Sequence, residues 1–244
     1  AYAAVESDRE QVLLLDAAGH NVAYVNGEPR GGDPYALGFV RLPVGLRAGR
    51  NDLLFLVPNG ELHARLVETR GPVMIDVNDL TLPDYLIGQT EDLWGAVVVI
   101  NANTRPLEHA RLVARCGPQT RDTPLPSIPA LAVRKVGFLI PALQTARPPP
   151  VAPLDLTLLS AEGELDRTTL ELTTRQSNEL HKRTFVSDID GSVQYYAVQP
   201  MSAGTDNTGR PALFLSLHGA GVDTLNQARC YAPKTWGHVV APTN

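Results

Sequence analysis

The chain has 244 residues, 43% hydrophobic and 19% charged, with a formal net charge of −5. That length fits one large domain or two to three small ones, and it buries a core without disulfides or metals. The modest negative charge argues against a phosphate-binding surface, no apolar run is long enough for a transmembrane helix, and the composition excludes collagen, coiled coil and wholesale disorder.

Gly and Pro contribute 20 residues each, which points to many turns and many short strands. A first segment, residues 1–71, reads as β. Gln11–Asp16 and Asn21–Val25 are short β-rich runs separated by an Ala18-Gly19 turn. Asn26-Gly27 is the strongest short turn signal, because both residues tolerate positive φ. Leu37–Pro43, Asp52–Val57 and Glu61–Glu68 follow as strands, with turns at Arg47–Asn51 and Pro58–Gly60. A strand about every ten residues suggests a β-sandwich. Asn51 is expected to cap its turn through its side chain. Because Gln11–Asp16 reads as an interior strand, this sandwich is expected to lack a strand if Ala1 is the true start.

The "VNG" turn at Val25–Gly27, followed by "LPV" at Leu42–Val44 and "GRN" at Gly49–Asn51, resembles jelly-roll accessory modules of the galactose-binding type. The likeness rests on turn chemistry across Tyr24–Val57.

A second segment, residues 72–176, carries strands at Trp94–Asn101, His109–Cys116, Ala132–Pro141, Leu154–Ser160 and Thr168–Thr174. This pattern suggests an immunoglobulin-like sandwich, although the Cys…Trp…Cys spacing is missing. Gly117–Pro129 and Pro141–Pro153 are Pro-rich and read as loops, with Arg147–Pro150 extended as polyproline II. Asp76, Asn78, Asp79 and Asp84 lack the Gly and distal Glu of a calcium loop, so they read as solvated carboxylates.

The third segment, residues 177–244, opens with a strand at Arg183–Ile189, an Asp190-Gly191 hairpin and a returning strand at Ser192–Gln199. Pro211–Leu217 is nearly continuous in apolar residues, as expected of a strand buried on both faces. His218-Gly219-Ala220-Gly221 ends it, Asp223 is a plausible N-cap for a short helix to Tyr231, and Gly237–Ala241 is a further strand.

This order resembles the start of an α/β-hydrolase domain of the prolyl-oligopeptidase and esterase type. The resemblance implies that His218, Gly219, Ala220 and Gly221 form the oxyanion-hole loop, with the Gly219 or Ala220 backbone N–H as donor. It further implies a serine hydrolase acting by acyl transfer on a peptide or ester. No G-x-S-x-G elbow occurs in the 244 residues, so the nucleophile and its triad partners are absent and the chain by itself is expected to be inactive. The implied partner is the remainder of the hydrolase domain, supplied by C-terminal sequence or a second polypeptide.

The fold class expected is therefore mainly β, with two β-sandwich modules, jelly-roll-like then Ig-like, followed by the incomplete start of an α/β-hydrolase sheet. The alternative function is a non-catalytic tandem β-sandwich binding or assembly protein. A degenerate hydrolase fold kept as a scaffold is a third, weaker reading. Dinucleotide and Walker patterns are absent, and His and Cys do not cluster, so no cofactor or metal is implied. Cys116 and Cys230 read as isolated structural thiols. Nucleic acid is not an expected partner, and an extracytoplasmic location is a guess from the multi-sandwich architecture.

Overall fold

A computed structural model describes residues 1–58, 60–143, 145, 147–202, 210–217, 219 and 221–243. The protein is mainly β. Its first unit contains β1 (Tyr2–Ser7), β2 (Gln11–Ala18), β3 (His20–Val25), β4 (Glu28–Asp33), β5 (Arg41–Leu46), β6 (Gly49–Leu56) and β7 (His63–Glu68). These form a four-stranded sheet, β1-β6-β3-β4, facing a three-stranded sheet, β5-β2-β7.

Alternation explains the layering. β6 reads buried at Asn51, Leu53 and Phe55 and exposed at Asp52, Leu54 and Leu56, the period of a half-buried strand. Leu53 and Phe55 meet Ala23 and Val25 of β3, Leu15 and Ala17 of β2, and Val44 and Leu46 of β5 in one cluster. Asn26 and Gly27 have φ of 52° and 88°, which closes the β3–β4 hairpin as the sequence suggested. A strand that the sequence reading did not name, β1, pairs with β6 from Tyr2↔Leu54 to Ser7↔Gly49.

The second unit contains β8 (Val73–Thr81), β9 (Tyr85–Leu86), β10 (Leu93–Asn101), β11 (Arg111–Cys116), β12 (Gln119–Pro124), β13 (Ala132–Ile140), β14 (Val151–Ser160) and β15 (Gly163–Arg175). A three-stranded sheet, β13-β10-β8, faces a five-stranded one, β12-β11-β14-β15-β9. Between them lies the largest cluster of the chain, with Val97, Val99, Leu112, Phe138, Leu154, Leu156, Leu158 and Leu172 all buried. Gly95 pairs with Phe138 across the β10–β13 ladder. A methyl group on Gly95 would stand 2.9 Å from the Phe138 ring, so the glycine makes room for the aromatic. Truncating Phe138 to Ala costs about 3–5 kcal/mol on general cavity energetics.

The third unit contains β16 (His181–Val186), β17 (Val193–Gln199), β18 (Ala212–Leu215), α1 (Thr224–Arg229) and β19 (Gly237–Pro242). Its sheet order is β16-β17-β19-β18. β16 with β17 and β17 with β19 are antiparallel, whereas β18 with β19 is parallel. Asp223 is the N-cap of α1, and its carboxylate accepts from the N–H groups of Leu225 and Asn226. Ala228 of α1 packs against Ala197 and Ala241.

The seams between units differ in chemistry. Leu14 of β2 packs with Met74, Ile100 and Ala102 of the second unit. The second and third units meet through hydrogen bonds as well as apolar contact, for a methyl group on Gly137 would stand 2.8 Å from Val193. Asp84 N–H donates to the Lys182 carbonyl at 3.0 Å. Lys182 N–H donates to the Asp84 carboxylate at 2.7 Å, and Thr184 Oγ1 donates to the Trp94 carbonyl at 2.6 Å. Among the described residues no helix is long and apolar enough to cross a membrane.

Candidate functional site

The sequence directed attention to the end of β18 and the turn after it. Two residues of that turn, His218 and Ala220, lie outside the described residues. Gly219 accepts a 3.2 Å hydrogen bond from the Val222 N–H, and Gly221 has φ of 78°. Ser216 lies just before that turn and is buried. Its hydroxyl stands 2.9 Å from the Tyr231 hydroxyl and accepts from Gln227 Nε2 at 2.8 Å. His238, half-buried on β19, accepts the Met201 N–H at Nδ1 over 3.2 Å.

β18 departs most from its sequence reading. Its continuous apolar character suggested burial on both faces, yet Leu213 is 70% exposed, Leu215 65% and, just beyond the strand, Leu217 72%. Trp236 is 54% exposed and meets Phe214 edge to face at 5.0 Å between ring centres. A groove of about 490 Å³ runs along this surface, lined by Phe214, Leu215, Leu217, Tyr231, Lys234 and Trp236 among others. Contiguous apolar exposure of this kind marks an interaction surface more often than a catalytic centre.

A second concavity, of about 750 Å³, lies where the first and second units meet, lined by Arg30, Arg47, Glu10, Glu28, Asn26 and Leu131 among others. Arg30 pairs with Glu28 at 3.0 Å. Its Nε is buried without a partner. Glu10, Glu28, Arg30 and Arg47 give this cleft a charged, polar lining.

The acidic residues also differ from expectation. Asp76 and Asp84 are buried, not solvated. The Asp76 carboxylate lies 3.9 Å from Arg41 and accepts the Asn78 N–H at 3.0 Å. Asp84 holds the second seam as described above. Asp84 therefore carries a hydrogen bond between units, and Asp76 an ion pair between units. No group of three His, Cys, Asp or Glu among the described residues is arranged to hold a metal ion. Sequence periodicity gives no signal for either burial, since both depend on partners far away along the chain.

No protein-family model and no curated protein matches the sequence. Solved structures do show similarity. A mutant β-glucuronidase of Bacteroides uniformis is 13% identical, with TM-score 0.38, covering 70% of this chain and 26% of that one. An exo-chitosanase of Amycolatopsis orientalis is 13% identical, with TM-score 0.35, covering 80% and 27%. A GH2 β-galacturonidase of Eisenbergiella tayi is 12% identical, with TM-score 0.39, covering 88% and 39%. The chain thus spans only 26% to 39% of the length of these proteins.

The likeness to an α/β-hydrolase is corrected by the strand content of the chain, which is mainly β. The described residues hold a single six-residue helix, whereas an α/β domain alternates its strands with helices and covers both faces of a parallel sheet. Among the described residues only the β18–β19 connection carries a helix, and β18 itself is exposed. The Asp-Gly hairpin and the glycine-rich turn are β-turn chemistry that many sheets share. The expected serine hydrolase falls with that resemblance.

Proposed function

We propose that the chain is a non-catalytic tandem β-sandwich binding and assembly unit. Residues 1–71 form a jelly-roll-like sandwich, 72–176 an Ig-like sandwich, and 177–244 a third sheet carried on them. The observation behind this reading is the apolar surface of Leu213, Leu215, Leu217 and Trp236, exposed beside two units whose own cores are closed. Burying such side chains against a partner is favourable by about 25 cal/mol per Å².

The test compares the wild-type chain with Leu215→Lys. Wild type is expected to take up an apolar dye, and the variant to lose most of that uptake while keeping its β circular dichroism. A wild-type chain without dye uptake would overturn the reading.

A further inference from the structure

Resting on the reading of the chain as an assembly unit, we infer that the open edge of β18 takes up an extended segment of a partner polypeptide as an added strand, and that this partner also covers the face bearing Leu213 and Leu215. β18 is the last strand of its sheet. Ala212 N–H donates to the Trp236 carbonyl at 2.9 Å, and Ser216 N–H to the Val240 carbonyl at 2.8 Å. Successive residues of a strand point their backbone groups to opposite sides, so the even-numbered residues spend theirs on β19. The N–H and C=O groups of Leu213 and Leu215 face the free edge.

Nothing on β18 blunts that edge. Sheets that end in water protect the last strand with charge, proline or a bulge. Ala212–Leu215 has none of these, and Pro211 only marks where pairing would begin. The two faces are also unequal. Ser216 turns toward α1, where Gln227 and Tyr231 hold it, and Phe214 shares that side against Trp236. Leu213 and Leu215 point the other way, and their exposure shows that no layer of the described residues covers them. Parallel strand pairs are ordinarily covered on both faces.

The size of the surface fits a protein partner. Leu213, Phe214, Leu215, Leu217, Tyr231 and Trp236 together expose on the order of 700 Å². A specific interface takes about 800 Å² from each side. A second copy does not meet the need. Two β18 edges joined about a two-fold axis would lengthen the sheet and leave the Leu213 and Leu215 face in water. An apolar helix lying in the groove would leave the edge N–H and C=O groups unused. A strand with apolar side chains at alternate positions, followed by a covering layer, satisfies both. Among the described residues Lys234 is the one charged residue lining the groove, so an acidic residue flanking the apolar run complements it.

The probe is a synthetic peptide copying the apolar run Gly95–Asn101 with a glutamate at each end, added to the full 244-residue chain. The expected result is slowing of amide hydrogen exchange at Leu213 and Leu215 by roughly tenfold or more, little change at Phe214, and a blue shift of Trp236 fluorescence. A peptide N-methylated at alternate amides should give no protection. Leu215→Pro removes one outward N–H and leaves the groups bonded to β19, so it should abolish protection. Leu213→Lys keeps the backbone intact and should weaken binding, which guards against a folding defect in the proline variant. Peptide binding without protection at Leu213 and Leu215, or no protection up to the peptide's solubility limit, overturns strand addition. Protection already present in a peptide-free dimer assigns the edge to a second copy and overturns the proposal as well. Loss of strand addition with dye uptake retained leaves the assembly reading standing, and loss of both removes that reading too.

Discussion

Asn26 Nδ2 donates to Asn51 Oδ1 at 2.8 Å, tying the tip of the β3–β4 hairpin to the turn that enters β6. The same Asn51 oxygen accepts the Arg47 N–H at 3.0 Å, and its Nδ2 donates to the Arg47 and Gly49 carbonyls, both at 2.9 Å. Asn51 is fully buried, so each of these partners loses its bond without gaining water when the side chain is removed. Asn51→Ala is expected to lower stability by about 2–4 kcal/mol. Asn51→Asp should also destabilise at neutral pH, because a carboxylate would face two carbonyls. Urea midpoints at unchanged m-value measure both, and a loss below about 0.5 kcal/mol for the alanine variant would contradict the role assigned to the side chain.

Two glycines of one hairpin should respond differently to alanine. A methyl group on Gly32 would stand 2.3 Å from the carbonyl oxygens of both His20 and Asn21, whereas Gly27 has open space around it and φ of 88°. Gly27→Ala then costs the left-handed backbone, about 1–2 kcal/mol. Gly32→Ala must spread β3 from β4 and should cost more. The order of the two melting temperatures is the measurement, and the reverse order would show that the hairpin yields at Gly32.

Acid should loosen the protein through two buried histidines. Burial pushes the His181 imidazole below its ordinary value of 6.5, against the opposing pull of the Glu179 carbonyl, which accepts from Nδ1 at 2.7 Å. Burial likewise lowers His20, although Asp33 and the Gly31 backbone favour its charged form. The ring nitrogens of His20 have no partner of good hydrogen-bond geometry. A lowered native value means that the unfolded chain binds more protons below 6.5, so stability is full above that pH and declines as pH falls through the native values. Thermal unfolding followed from pH 7.5 down to 5 should show this decline, with a shallower slope in His181→Gln. Equal slopes in the two proteins would remove His181 as a source.

The two thiols should separate cleanly by reactivity. Cys116 is buried with its Sγ 3.5 Å from the Pro153 carbonyl, and burial raises its pKa. Cys230 is exposed after the last turn of α1. An aromatic disulfide reagent should label Cys230 in the native protein and Cys116 only after denaturation, since the thiolate is the reacting species. Two fast native labels would mean that the Cys116 side of the second unit opens readily.

Much of the fold is legible where local chemistry decides it. The apolar run of β10, the Asn26-Gly27 turn and the Asp223 cap each specify structure within a few residues. β4, with sequence EPRGGD, and β12, with QTRDTP, show no apolar pattern. They are strands because β3 and β11 stand beside them to pair with. β9 has two residues and exists only by parallel pairing with the end of β15. β18 shows the opposite difficulty. Its apolar run announces a strand, but periodicity does not distinguish one enclosed by neighbours from one that lacks them.

The unlike seams set how solvent acts on the molecule. Leu14, Met74, Ile100 and Ala102 close part of the first seam with apolar contact that water cannot replace. Asp84, Lys182 and Thr184 tie the third sheet with bonds that water also makes, beside the close approach of Val193 to Gly137. The attachment of the sheet that carries β18 is therefore the more exchangeable with solvent of the two.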